Sequence, residues 1–329
     1  MSHKDSSRCN QKMSSNYIFD CVIIGDIFID INIRLPTNEI TKGGVTVCEE
    51  FIYTSGGISN IATALSLLGC KVAVIGKCGH DIFGNLFIRD IKKNKIISYI
   101  FRDYLPTGLL ISLIDISAER SFIITRGANN NLNIKEVQEV LPRLKYRFFY
   151  STGYSLTHSP QRDSIIHAME IARRSAAITI FDPGSYNIID KNYDYFIRAL
   201  KFTNILSCNL EEARAITNAY ELKDIILYLA KIVHTIIIRL GKKGCIVYND
   251  GDSRFIPLQL KIRAKDTTGA GDAFTSALIY GLINGWNVYK SAYFANLFAA
   301  MKVTRMGARS FPSKKEIKTL LQKIDKYEG

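Results

Sequence analysis

No stretch of this 329-residue chain approaches the roughly 20 consecutive apolar residues that a membrane span requires. The run Ile226 to Leu240 is broken by Lys231 and His234, and Ala273 to Met301 by asparagines and Lys290. The opening segment, Met1 to Asn16, lacks the apolar core of a secretory signal and is rich in serine, asparagine and lysine. A mobile tail over 1–16 and a soluble, cytoplasmic protein are therefore expected. A CxxC pair is also missing. The seven cysteines (Cys9, Cys21, Cys48, Cys70, Cys78, Cys208 and Cys245) are odd in number and scattered, which excludes a disulfide framework or a zinc site in favour of reduced packing residues. Neither an internal repeat nor a low-complexity segment is present.

What the chain does have is a core-building composition: 47% hydrophobic and 22% charged residues exclude a disordered or collagen-like protein. Lysine and arginine total 43 against 30 aspartates and glutamates, and the net charge of +13 favours anionic partners such as nucleotides, phosphorylated metabolites, nucleic acid or acidic membranes. Short β-branched runs (Cys21 to Ile24, Val72 to Ile75, Arg147 to Tyr150, Ala177 to Phe181, Asn204 to Ser207, Thr235 to Arg239) alternate with stretches of helical period. Those stretches are Ile61 to Leu68, Ile82 to Lys93, Ser164 to Arg174 and Leu222 to Lys231, with a basic surface helix over Lys314 to Lys326. The alternation predicts an α/β fold, a mostly parallel sheet with helices on both faces and ligands at the carboxyl ends of its strands. Two strand-like regions without an intervening helix, about 32–53 and 98–115, are expected to form a small antiparallel lid on a single domain over 17–329.

The most informative string is Asp266-Thr267-Thr268-Gly269-Ala270-Gly271-Asp272, between an expected strand (Leu260 to Ala264) and an apolar helix with Phe274, Leu278 and Leu282 on one face. Small residues at a helix start leave main-chain N–H groups bare, and the peptide dipoles add positive potential, so this spot suits an anion such as a transferring phosphoryl group. Asp272, in the first turn, is placed to take a hydroxyl proton. Upstream, Ser55-Gly56-Gly57-Ile58-Ser59-Asn60 opens a helix; the glycines allow close approach of a ligand, while Ser59 or Asn60 can equally cap the helix. Asn209 followed by Glu212 is either a capping box or a holder of hydrated magnesium. Gly241-Lys242-Lys243-Gly244 is either a plain turn between strands or a cradle for polyphosphate.

These strings occur together and in order, and on them the sequence resembles the ribokinase-like sugar kinases, also called the phosphofructokinase-B family, from about Phe19 to Ile317. The resemblance implies a ribokinase-like three-layer α/β/α fold with a small β-sheet lid. It implies Asp272 as catalytic base and Gly269, Ala270 and Gly271 as anion hole. Acceptor binding falls to Asp30, Gly56, Gly57 and Asn60. Nucleotide and magnesium binding fall to Asn209, Glu212, Gly241, Lys243 and Gly244, with Asn296 near the adenine. Thr107-Gly108 and Gly127-Ala128-Asn129 also fit the family. Members activated by a monovalent cation bind it at positions that match Asp266, Thr268 and Gly307 through Ser310, so the resemblance allows potassium, and it allows a homodimer joined through the lid.

The expected function is transfer of phosphate from ATP to a hydroxyl of a sugar or sugar-like metabolite, with magnesium. Departures from the family bear on the acceptor: the Gly57 to Asn60 loop is one residue shorter than usual, and Ile58 replaces a lysine of ribose kinases. Phe28 replaces a polar residue, and Thr152-Gly153-Tyr154 lacks ribokinase's glutamate. A nucleoside is the alternative acceptor, favoured by Phe28, Ile58 and the aromatic-rich lid segments, with Tyr53, Tyr99, Phe101 and Tyr104 as candidate base platforms. A regulatory or nucleic-acid-binding protein on an inactive scaffold is disfavoured, because the positive charge is dispersed and no nucleic-acid motif accompanies it.

Overall fold

The computed structural model describes residues 18–117 and 119–324. The expected tail over 1–16, Cys9 and the last two residues of the expected 314–326 helix lie outside the described residues. Strand β1 (Phe19–Ile24) bends at Gly25 into β2 (Ile27–Arg34); β3 (Phe51–Gly57) runs directly into α1 (Ile58–Leu67). Next come β4 (Val72–Gly79), α2 (Ile82–Lys93), β5 (Ile97–Asp103), β6 (Gly108–Ile114), β7 (Arg120–Thr125), α3 (Ile134–Val140) and β8 (Tyr146–Thr152). They are followed by α4 (Gln161–Arg174), β9 (Ile178–Asp182), α5 (Tyr193–Leu200), β10 (Ile205–Asn209), α6 (Leu210–Thr217), α7 (Leu222–Leu229) and β11 (Thr235–Arg239). The hairpin β12 (Gly244–Asn249) and β13 (Asp252–Pro257) precedes α8 (Ala270–Ile283), α9 (Val288–Lys302) and α10 (Lys314–Ile324).

The β-branched runs are buried on both sides because the sheet is covered on both sides. Cys21 and Ile23 of β1 join one apolar cluster with α1, α8 and α9, while Val22 and Ile24 join a second with α4, α5 and α6. The large sheet has the order β13-β12-β11-β10-β9-β8-β1-β4-β5; its strands are parallel from β5 to β11, and the last two are antiparallel. The small sheet has the order β3-β2-β6-β7, with β2 parallel to β6 and the outer pairs antiparallel.

Two expectations are corrected. Residues 97–103 belong to the large sheet: α2 supplies the crossover that parallel pairing with β4 needs, and the chain passes to the small sheet only at Gly108. The projecting sheet is thus built from 27–34, 51–57, 108–114 and 120–125, not from 32–53 and 98–115. Leu260 to Ala264 forms no strand, and Leu258 and Leu260 pack against the first apolar cluster.

Alternation sets the small sheet's two faces. Ile27, Ile29 and Ile31 of β2 pack toward the core, and Phe28, Asp30, Asn32 and Arg34 face a cleft. Asn129 fixes the β1–β2 bend, accepting from the Ile27 N–H (2.7 Å) and donating to the Ile27 carbonyl (2.8 Å).

Candidate active site

The cleft, about 1320 Å³, lies between the inner face of the small sheet and the carboxyl ends of the parallel strands. It brings together Asp30, Gly57, Asn60, Asn209, Glu212, Gly241, Gly244, Asn296, Gly307, Ser310 and the whole Asp266 to Asp272 string. Two expected site residues do not line it. Gly56 lies behind Asp30, so close that a Cβ would stand 2.0 Å from the Asp30 carboxylate; its smallness lets β3 pass over that group. Lys243 is turned away, and Lys242 lines the cleft in its place. Gly241 and Gly244 both take positive φ (57° and 115°), and the tight turn between them directs the Lys243 carbonyl to the Leu258 N–H (3.2 Å).

Helix α8 starts without a cap. Gly269 is left-handed (φ 74°), where a Cβ would also lie 2.5 Å from the Ala308 carbonyl, and no side chain serves the first-turn amides. The Ala270 N–H is bonded to the Thr267 carbonyl (3.1 Å), which removes it from the expected anion hole. The N–H groups of Gly269, Gly271 and Asp272 have no partner among the described residues. Three bare donors at a helix N-terminus form a site for an oxyanion.

Asp272 accepts from the Asn60 side-chain amide (3.2 Å). Burial, then the nearby Asp182 carboxylate, push its pKa up to about 7. Asp30 is likewise raised to about 7, by burial and then by Asp272. Around them the cleft holds buried polar atoms without partners among the described residues: Asp30 Oδ1, Asn60 Oδ1, Asp26 Oδ2 and Ser112 Oγ. Asp26 is fixed through its other oxygen by Arg126 and Gln161, both at 2.7 Å. Asn60 Oδ1 can only accept, and carboxylate oxygens accept when ionised, so these atoms suit a ligand that presents several O–H donors.

The Asn209–Glu212 pair forms a complete capping box on α6. Glu212 N–H donates to Asn209 Oδ1 (2.8 Å), and Asn209 N–H to Glu212 Oε2 (2.8 Å). Beside it lies Arg239, which ends β11 and was not anticipated from the sequence. It pairs with Asp182 at 2.7 Å and with Glu212 at 3.4 Å, and its guanidinium carbon would be 3.5 Å from a Cβ at Gly271. Burial opposes its charge, but Asp182 and Glu212 more than offset this and hold it protonated. Glu212 is itself raised to about 7, by burial and then Asp182. A charged residue closing a buried parallel strand was the available signal for both Arg239 and Asp182.

The first aspartate of the string is a structural hub. Asp266 accepts from the N–H groups of Thr268 (2.9 Å) and Gly307 (2.8 Å) and pairs with Arg120 of β7 at 3.0 Å. Burial favours its neutral form, but these partners outweigh it and keep the carboxyl ionised far below the usual range. Arg120 also donates to the Thr268 hydroxyl, joining the small sheet to the Asp266 to Asp272 string. From below, the Lys302 ammonium reaches the carbonyls of Asp266 (3.2 Å) and Thr268.

No cluster of three or more histidine, cysteine or acidic side chains able to cage a metal occurs among the described residues, and no described helix is long and apolar enough to cross a membrane. Glu212 and Asp182, both paired with Arg239, are carboxylates of the cleft lining. One or two carboxylates suit a magnesium ion that keeps its waters and is carried in by phosphates.

Comparison with known proteins places this geometry. Residues 19–315 match the pfkB family carbohydrate kinase. The chain is 29% identical to the ribokinase of Mus musculus, covering 90% of this chain and 93% of that protein. It is 30% identical to the 5-dehydro-2-deoxygluconokinase of Clostridium beijerinckii, covering 86% and 87%. The adenosine kinase of Sinorhizobium meliloti shares its fold with a TM-score of 0.81 at 21% identity, over 93% of this chain and 99% of that one.

Proposed function

Because the chain belongs to the pfkB family of carbohydrate kinases, we propose that it moves the γ-phosphate of ATP to a hydroxyl of a neutral sugar or sugar-like metabolite. The observation that carries the acceptor class is the group of unpartnered buried acceptors, Asp30 Oδ1, Asn60 Oδ1 and Asp26 Oδ2, on one wall of the cleft. Several hydroxyls satisfy such a wall, whereas an anionic head group next to it is repelled.

In this reading the acceptor is held by Asp30 and Asn60 with its reacting hydroxyl toward Asp272. The raised pKa of Asp272 makes it a base matched to neutral pH, and Asn60 orients it. The amides of Gly269, Gly271 and Asp272 receive the migrating phosphoryl oxygens, with Arg239 as a fixed positive charge beneath them. The triphosphate lies toward Gly241, Lys242 and Gly244, and the adenine toward Asn296, whose amide is anchored on the Ile256 carbonyl (3.0 Å). Glu212 would hold a hydrated magnesium ion, which would supply further neutralisation of phosphate charge. With Arg120 drawing the small sheet onto Asp266 and Thr268, the cleft is shielded from water that would otherwise hydrolyse ATP.

A nucleoside acceptor is the second reading; Phe28 and Ile58, expected to favour it, line the cleft, whereas the expected base platforms do not. Of Tyr53, Tyr99, Phe101 and Tyr104 none lines the cleft; Phe28, Phe51 and Phe122 do, and these are the rings against which a base would stack. ADP release measured over a panel of free sugars, sugar acids and nucleosides with magnesium-ATP decides. Turnover on uncharged polyols supports the main reading, turnover on nucleosides alone supports the second, and no ADP from any acceptor refutes both.

A further inference from the structure

Lys302 ends α9 with its side chain wholly buried under the catalytic string. An ammonium without water is retained only where fixed oxygens replace its hydration shell. Two main-chain carbonyls do this, those of Asp266 and Thr268. They belong to the segment for which the family resemblance allows a potassium ion. The other groups of that candidate set are also engaged. The Asp266 carboxylate is paired with Arg120. The Gly307 carbonyl accepts from the Ser310 N–H (3.3 Å), and the Ser310 hydroxyl donates to the Met306 carbonyl (2.5 Å). A potassium ion at these oxygens would meet an ammonium already bonded to them, a repulsion between like charges at close range inside the protein. The residues therefore do not fit a monovalent cation.

We propose that Lys302 is a tethered substitute for such a cation. Its ammonium fixes the Asp266 and Thr268 carbonyls, and through them the bare amides of Gly269, Gly271 and Asp272, so that the enzyme needs no potassium. Lys302 is a positioning residue, since it acts on the phosphoryl group only through the loop it holds. The inference rests on the kinase reading for its link to phosphate and on hydrogen-bond geometry alone for the cation.

The test compares the wild-type protein with Lys302→Met in potassium chloride and in choline chloride of equal ionic strength. Thermal melting and the Kd for magnesium-ATP are read in each. The wild type is expected to melt at the same temperature in both salts and to bind magnesium-ATP equally to within about twofold. Lys302→Met should bind magnesium-ATP about tenfold more weakly in choline, the size of one lost charge-assisted hydrogen bond. Potassium or ammonium chloride should then restore its binding and raise its melting temperature saturably, because the vacated oxygens accept a free cation. A saturable, potassium-specific rise in the melting temperature of the wild type would overturn the proposal. So would a variant that binds as well as the wild type in both salts, or one equally weakened in both. If Lys302→Met does not fold, the wild-type comparison decides alone. Failure of the wild type to bind magnesium-ATP in any salt would instead remove the kinase reading, while the melting comparison still judges Lys302.

Discussion

Helices α6 and α8 both begin at the same cleft, yet their first turns are opposites. In α6 the Asn209 and Glu212 side chains close on each other's main-chain N–H groups, so the helix end is satisfied within the protein. In α8 the corresponding place is taken by Gly269, which has no side chain to offer, and three amides are left open. A capped end is a finished piece of structure; an uncapped end in a cleft offers its amides to an anion. The same contrast separates the carboxylates. Glu212 is engaged in the cap and with Arg239, whereas the Asp272 carboxylate has only the Asn60 amide as hydrogen-bond partner among the described residues.

The contrast can be broken at either helix. Asp272→Asn keeps the shape of the α8 terminus and removes the base, so turnover should fall by about 10² to 10⁴ while magnesium-ATP still binds. Steady-state kinetics with calorimetric ATP titration measures both, and near-normal turnover would take Asp272 out of its role. Gly56→Ala would set a methyl against the Asp30 carboxylate, where a Cβ stands 2.0 Å away. Displacing that carboxylate should reduce kcat/KM for the acceptor by about 10²-fold, with the Kd for ATP unchanged. The pH dependence follows from the raised pKa of Asp272. A base must be unprotonated, so kcat/KM should climb about tenfold per unit below the apparent pKa and level off above it. The bend is expected near pH 7, where Asp272 and Asp30 both titrate. A rise ending near pH 4 would show an unperturbed carboxylate. The smallest effect belongs to α6: Asn209→Ala should cost about 1 kcal/mol of stability by denaturant titration, the usual worth of an N-cap. A loss of activity as large as that of Asp272→Asn would mean that Asn209 is not chiefly a cap.

Most of the large sheet was legible, because buried parallel strands are written as β-branched runs and crossover helices as 3.6-residue periods. Residues 97–103 were misassigned to the projecting sheet, since a strand at a sheet's edge with a half-buried pattern reads the same in either location. Strand β7 went unseen because nearly all of its side chains are exposed and the burial pattern carries no alternation. In the site, contiguous strings were readable and lone partners were not. Asp266 to Asp272 declares itself by its glycines at a helix start, whereas Arg120, Arg239 and Lys302 gain their meaning from groups distant in sequence, as Lys302 does from the Thr268 carbonyl. Lys242 and not the expected Lys243 lines the cleft, because the direction of a side chain in a turn depends on the φ of its flanking glycines, which the sequence permits but does not fix.

A structure with magnesium-ADP, a polyol acceptor and aluminium fluoride in place of the migrating phosphoryl group examines the open end of α8 directly. The fluoride ligands are expected about 2.7–3.1 Å from the Gly269, Gly271 and Asp272 amides, with the acceptor hydroxyl on the Asp272 carboxylate. A mimic seated away from those amides, or an acceptor hydroxyl out of reach of Asp272, would contradict the account.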